Sequence, residues 1–257
     1  MTMRTALLKI PSPSGFSLTG DLTVRTRSQT ALLYIHGLGS HRRGDKSRAL
    51  AAAAYESGWA FAAVDFHGHG QSEGGLPDLR CTRLQQDLDA TLDLLRQEGL
   101  SRFYLVGSSM GGWAASWLAK RHGTRVIPAI AVLAPAFRFP HTRLTTLNEE
   151  QKRLWKNQGT YTWQTPWMKM ELAWDLMIDS ANFPLEKLVE GWSTPMRIYH
   201  GLQDDIVPWR DSLEFFERLG PGPWSLDLLS DGDHRLTDHK TRIMKELLDW
   251  FGQIATQ

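Results

Sequence analysis

The stretch "LVGSSMGGW" (residues 105–113) sets two adjacent serines among glycines, directly behind the apolar run "RFYLV". Within this stretch, a serine with glycine two positions before and two positions after it occurs only as Ser109, between Gly107 and Gly111; centring on Ser108 would need glycine at Val106 and Met110. Such spacing suits a sharp strand-to-helix turn, where a side chain at either flank would collide with neighbouring backbone. It predicts a strand that ends at the serine, a helix that opens at Met110, and a hydroxyl projected at the sheet edge. Ser108 then reads as packed or turn-bonded. The same letters also suit a glycine-rich turn that lets a helix lie close to a strand, so the remainder of the chain has to decide.

Working outward, apolar runs alternate with helix-like segments. "ALLYI" (31–35), "WAFAAVDF" (59–66), "VIPAIAVLAPA" (126–136), "MRIYHG" (196–201) and "WSLDLLS" (224–230) are strand candidates without polar alternation. Between them, helices are expected over about 46–57, from Arg83 to Gly99 with Leu84, Leu88, Leu92 and Leu95 on one face, from Met110 to about Arg121, and from His239 to Phe251. Unalternated strands separated by helices indicate an α/β chain with a parallel sheet buried on both faces. Each strand candidate runs into Gly, His, Asp or Ser, and the carboxyl ends of such strands form the functional edge. The stretch 137–192 breaks the rhythm: it has no clear strand and holds Trp155, Trp163, Trp167, Trp174 and Trp192. An insertion of that size reads as a helical cap, set into a core formed by 1–136 and 193–257. Its tryptophans either build a small core of their own or line an apolar pocket; Trp155, Trp163, Trp167 and Trp174 are the substrate-binding candidates.

A serine hydroxyl needs a base, usually a histidine oriented by a carboxylate. His234 in "SDGDHR" falls in the loop after the last strand and before the last helix, at the edge where Ser109 is expected; His239 is the alternative. For the acid, "HGLQDDIVP" (200–208) offers Asp204, which fits G-x-x-D-x-x-V-P, and Asp205, which reads as a cap for the helix starting near Trp209. An oxyanion hole requires two backbone N–H donors. Met110 is one candidate, and Leu38 in "HGLGS" (36–40) the other, with Gly37 possible. His36 and Gly37 read as shaping that loop, and Asp65 and His67 in "DFHGHGQS" as structural.

The 257 residues carry 29 basic and 28 acidic side chains, a net charge of +1, which gives no field for nucleic acid or an anionic membrane. Cys81 is the single cysteine, so the chain cannot close a disulfide on itself. No apolar run approaches a membrane span, and the first residues carry no apolar signal or transit pattern. A cytoplasmic bacterial protein is expected. Neither a phosphate-binding glycine loop nor a His/Cys metal cluster stands out, so no cofactor and no metal are expected.

With "HGLGS", "DFHGHGQS", "GSSMGG", "HGLQDDIVP" and "GDH" in this order at successive strand ends, the chain resembles the α/β-hydrolase superfamily. "VGSSMGGW", "HGLQDDIVPW" and "DHR" are similar to the branch that contains the mitochondrial palmitoyl-protein thioesterase. The resemblance implies a mostly parallel eight-stranded sheet flanked by helices with a small helical cap. It also implies Ser109 as nucleophile, Asp204 as acid and His234 as base of a serine esterase. A small-molecule ester with an apolar acyl or aryl group is the expected substrate. A thioester is the alternative; a non-catalytic ligand receptor on the same fold is the reading from another class.

Overall fold

In the computed structural model, which describes residues 3–25, 28–164 and 169–256, the apolar runs assemble into one eight-stranded sheet. Its strands are β1 (Met3–Pro11), β2 (Ser17–Arg25), β3 (Thr30–Ile35), β4 (Ala60–Asp65), β5 (Arg102–Ser108) and β6 (Ile130–Leu133). After a separate hairpin of β7 (Thr160–Gln164) and β8 (Lys169–Ala173) come β9 (Met196–Gly201) and β10 (Trp224–Leu229). The spatial order is β1-β2-β4-β3-β5-β6-β9-β10. All neighbours from β4 through β10 pair parallel, while β2 runs antiparallel to both β1 and β4.

The helices that cover the sheet are α1 (Asp45–Glu56), α2 (Cys81–Gln97), α3 (Met110–Val126), α7 (Trp209–Leu219) and α8 (Lys240–Ala255). Successive residues of a strand point to opposite faces, and here both faces are dry. Ala31, Leu33 and Ile35 of β3 join Leu84, Leu88, Leu92 and Leu95 of α2 and Trp113 of α3 in one apolar cluster. Leu32 and Tyr34, one register step away, join Leu50 of α1 and Ile243, Leu247 and Phe251 of α8 in the other. That is why these strands do not alternate in sequence. Each of the four α2 leucines is fully buried, worth about 1.5–3 kcal/mol apiece relative to exposure.

The register also places the edge. Ile35 pairs with Gly107 across β3 and β5, so the loop after β3 leaves the sheet level with Ser108 and Ser109. Gly201 pairs with Leu229, so the loops carrying Asp204 and His234 start side by side.

Between β6 and β9 the chain forms a 3-10 turn (His141–Thr146), then α4 (Glu149–Gln158), the β7–β8 hairpin, α5 (Asp175–Ser180) and α6 (Leu185–Val189). The hairpin departs from the reading of 137–192 as strandless. Its strands are five residues each and half-exposed, too short and too polar to register as apolar runs. Asn148 starts α4 by accepting from the Gln151 amide at 2.9 Å, while Gln151 Oε1 accepts from the Asn148 amide at 2.9 Å, a reciprocal capping box. Trp155 of α4 is fully buried and donates from its indole to the Leu172 carbonyl at 2.9 Å. Trp163 and Trp174 pack edge-on against it, with ring centres 4.8 and 5.1 Å away. A second aromatic set, in which Phe183 meets Trp113 and Trp117 edge-on at 5.4 and 5.2 Å, joins this layer to α3.

Candidate active site

Ser109 lies between β5 and α3 with φ 55° and ψ −120°, a backbone conformation that side chains rarely adopt. The turn persists because its surroundings leave no alternative. A Cβ at Gly111 would lie 2.1 Å from the Ile35 carbonyl oxygen, and one at Gly107 would lie 2.3 Å from the Gly111 carbonyl oxygen. The serine backbone is bonded on both sides: its amide donates to Leu133 O at 2.9 Å, and its carbonyl accepts from Gly112 at 2.9 Å and Ala136 at 3.1 Å. Ser108 is buried, as read, and its Oγ accepts from Lys46 Nζ at 3.1 Å. Burial pushes the Lys46 ammonium down to about 8, against the pull of the Asp233 and Asp204 carboxylates nearby.

The "HGLGS" loop comes down onto the serine. A Cβ built on Gly37 would stand 3.1 Å from the Ser109 Cβ and 3.7 Å from its Oγ. Two buried histidines shape the loop. His36 Nδ1 meets the Gly37 carbonyl at 2.8 Å and its Nε2 accepts from the Phe66 amide at 3.1 Å, while His69 Nε2 accepts from the Gly39 amide at 3.1 Å. Burial lowers both, His69 to about 3, so each is neutral around pH 7. Met110 opens α3, so its amide has no acceptor within the helix. Neither it nor the Leu38 amide hydrogen-bonds to another described residue.

Asp204 and His234 meet. His234 Nδ1 is 2.7 Å from Asp204 Oδ2, with the carboxylate fully buried and the imidazole about one-fifth exposed. Asp204 Oδ1 accepts from the amides of Ile206 at 2.9 Å and Val207 at 2.8 Å. His200 Nε2 reaches the same Oδ2 at 3.0 Å. Burial alone would raise the Asp204 carboxyl. The hydrogen bonds from His200 and His234, with the charge of His234 and the Val207 amide, outweigh it and hold the group well below the usual carboxylate range. Gly201 makes the meeting possible: a Cβ there would sit 2.0 Å from the Gly232 carbonyl oxygen, so the end of β9 and the His234 loop touch backbone to backbone.

The alternatives separate cleanly. His239 stands at the start of α8 with Nε2 3.0 Å from the Asp231 carboxylate, away from Asp204. Asp205 is exposed and does not cap α7; the turn before that helix is closed by Asp204 Oδ1 instead, because the buried carboxylate already faces the Ile206 and Val207 amides. Asp65 and His67 are structural, as read. Asp65 is buried and pairs with buried Arg42, accepting from its guanidinium and, at 2.6 Å, from its amide. His67 Nδ1 lies 2.6 Å from Asp87. Of the tryptophans between β6 and β9, Trp155 is fully buried with Trp163 and Trp174 packed upon it, and Trp192 donates to the Thr194 carbonyl at 2.7 Å. Trp167 lies outside the described residues. Lys46, His200 and Arg42 were not singled out from the sequence. The only available cue was the "YHG" before the acid loop, and it could not tell a backbone-shaping histidine from a carboxylate partner.

Comparison with known proteins agrees with this fold. The model of a hydrolase family described as serine aminopeptidase, S33, matches residues 26–181, more than half of the chain; that span holds Ser109 but neither Asp204 nor His234. The mouse protein named palmitoyl-protein thioesterase ABHD10, mitochondrial, is 27% identical over 210 residues, covering 80% of this chain and 69% of that protein. The solved structure of mouse alpha/beta hydrolase domain-containing protein 10 superposes with a TM-score of 0.80 at 22% identity, covering 97% of this chain and 99% of the other. Ferulic acid-bound Est1E from Butyrivibrio proteoclasticus superposes with a TM-score of 0.83 at 20% identity, covering 97% and 100%. At those identities the two superpositions speak for the fold, and the family match for descent. The chain belongs to the serine aminopeptidase S33 family of α/β hydrolases.

Proposed function

We propose that the protein hydrolyses carboxylic esters through Ser109, His234 and Asp204 by way of an acyl-enzyme. The observation that carries this reading is the 2.7 Å pairing of His234 with a buried Asp204, at the sheet edge where Ser109 is held in a strained turn. Asp204 accepts a hydrogen bond from the Nδ1–H of His234, which leaves Nε2 as the basic nitrogen. Ser109 Oγ adds to the acyl carbon as Nε2 takes its proton. The amides of Met110 and Leu38 receive the developing oxyanion; their lack of other partners suits that task, which demands donors already in place. His234 returns the proton to the departing alcohol oxygen. A water then adds to the acyl carbon, gives its proton to the same nitrogen, and the acid leaves as Ser109 regains its hydrogen.

Within the ester class, the name of the mouse relative supports a thioester of a long acyl chain as the second reading. A rate series over p-nitrophenyl esters from acetate to palmitate, with an acyl-CoA and an S-acylated peptide alongside, separates the two. Short esters are expected to dominate for a general esterase, and a steep rise with long thioesters would move the assignment. A fluorophosphonate probe should label Ser109, and Ser109→Ala should abolish both labelling and turnover. Ester cleavage unaffected by Ser109→Ala would sink the proposal.

A further inference from the structure

Asp204 has a second histidine, and, resting on the reading above, we propose that His200, itself held by Ser212, is a positioning residue that acts on the base through the shared carboxylate. Both imidazoles meet one oxygen, His200 Nε2 at 3.0 Å and His234 Nδ1 at 2.7 Å from Asp204 Oδ2. His200 Nε2 is also 3.1 Å from the Val207 carbonyl. A carboxylate and a carbonyl can only accept, so Nε2 must carry a hydrogen. In a neutral ring Nδ1 is then the acceptor, and the Ser212 hydroxyl, 2.7 Å away, donates to it. Both residues are fully buried. The result is a directed chain in which Ser212 fixes the His200 tautomer, and His200 donates to the oxygen that also orients His234.

The chemistry follows from sharing. A carboxylate oxygen that already accepts one hydrogen bond offers less negative charge to a second donor. His200 therefore weakens the hold of Asp204 on a protonated His234 and keeps the base free at lower pH. Among the described residues, Lys46 of α1 lies near Asp204 and Asp211 of α7 near His200; around Lys46 stand Asp233 and Arg235 of the His234 loop and Lys240 of α8, and around Asp211 stand Arg138 and Glu214. Substitutions at 200 or 212 leave all of them in place.

The test is the pH profile of kcat/KM on p-nitrophenyl butyrate for wild type, His200→Phe, His200→Gln and Ser212→Ala, with Ser109→Ala as reference. The phenylalanine variant should lose about tenfold or more, the worth of a hydrogen bond to a charged group. Its acid limb should move to higher pH by roughly half a unit. Glutamine, whose amide still donates, should keep the wild-type limb, and Ser212→Ala should fall between. An unmoved limb in His200→Phe, or a glutamine variant displaced as far as phenylalanine, overturns the inference while an inactive Ser109→Ala leaves the proposed function standing. Turnover that survives Ser109→Ala overturns both. Should His200→Phe fail to fold, Ser212→Ala decides: a shifted limb supports the relay, and an unmoved one overturns it.

Discussion

Two histidine–aspartate pairs stand in different parts of this molecule with nearly the same contact and opposite prospects. His67 Nδ1 is 2.6 Å from Asp87, and His234 Nδ1 is 2.7 Å from Asp204. The first pair is sealed. Its ring stacks flat on Phe16 with centres 5.2 Å apart, and its Nε2 is buried without a partner among the described residues. Asp87 is occupied further by the hydroxyls of Ser12 and Ser14, each donating at 2.7 Å. The second pair sits in a loop at the carboxyl edge, where its ring is partly open. A short imidazole–carboxylate contact is therefore no mark of a catalytic base. What distinguishes the pair proposed for catalysis is the opening of its ring at the carboxyl edge.

That contrast can be broken by experiment. His234→Ala should lower kcat/KM roughly ten-thousand-fold or more with little change in thermal midpoint, while His67→Ala should leave kcat of the folded enzyme within a few fold. A reversal of these two outcomes would exchange the roles of the pairs. Asp87→Ala comes next: it strands two serine hydroxyls and the His67 ring in a dry interior and should cost about 3 kcal/mol of stability in urea unfolding. A loss within experimental error would mean that the sealed pair does not hold its part of the fold.

The smallest effect concerns His36 and His69, buried histidines whose direct hydrogen-bond partners are backbone groups. Their folded-state affinity for protons lies below the unfolded value of 6.5, with His69 near 3. Between these limits the unfolded chain binds more protons, so stability is full above about pH 6.5 and falls as the pH drops through that window. The Asp204 contribution is lost only below 3.8, which keeps the two effects apart. Urea midpoints should therefore decline from pH 7 to pH 4.5, and His69→Gln should flatten the slope. An equal slope in the variant would remove His69 as its source.

The candidate site at the carboxyl edge was largely legible in the linear chain because its geometric demands are local. Gly107 and Gly111 flank Ser109 where a side chain would strike backbone, and the G-x-x-D-x-x-V-P spacing locates the one carboxylate that can cap its own turn and still meet the base. Less visible were features assembled across distance. β1 is the exposed edge strand, and both it and its inner neighbour β2 mix polar with apolar residues, so no apolar run announced them. Arg42 is one of two adjacent arginines, and only the fold brings Asp65, Asp21 and Gln71 to it. Lys46 sits on a solvated-looking helix start, and only folding brings Ser108 to it. The cap tryptophans illustrate the same limit. Composition flagged them together, yet only packing separates Trp155, fully buried in the layer, from the rings laid upon it.

The contact between Gly201 and Gly232 has a consequence for motion. Gln203 donates to the Gly232 carbonyl at 2.9 Å and Leu202 to the Leu229 carbonyl at 2.8 Å, so the segment bearing the imidazole is laced to the end of β9, a strand paired on both sides. It cannot swing out as a surface flap would. Its amide hydrogens should exchange with solvent on the timescale of the sheet.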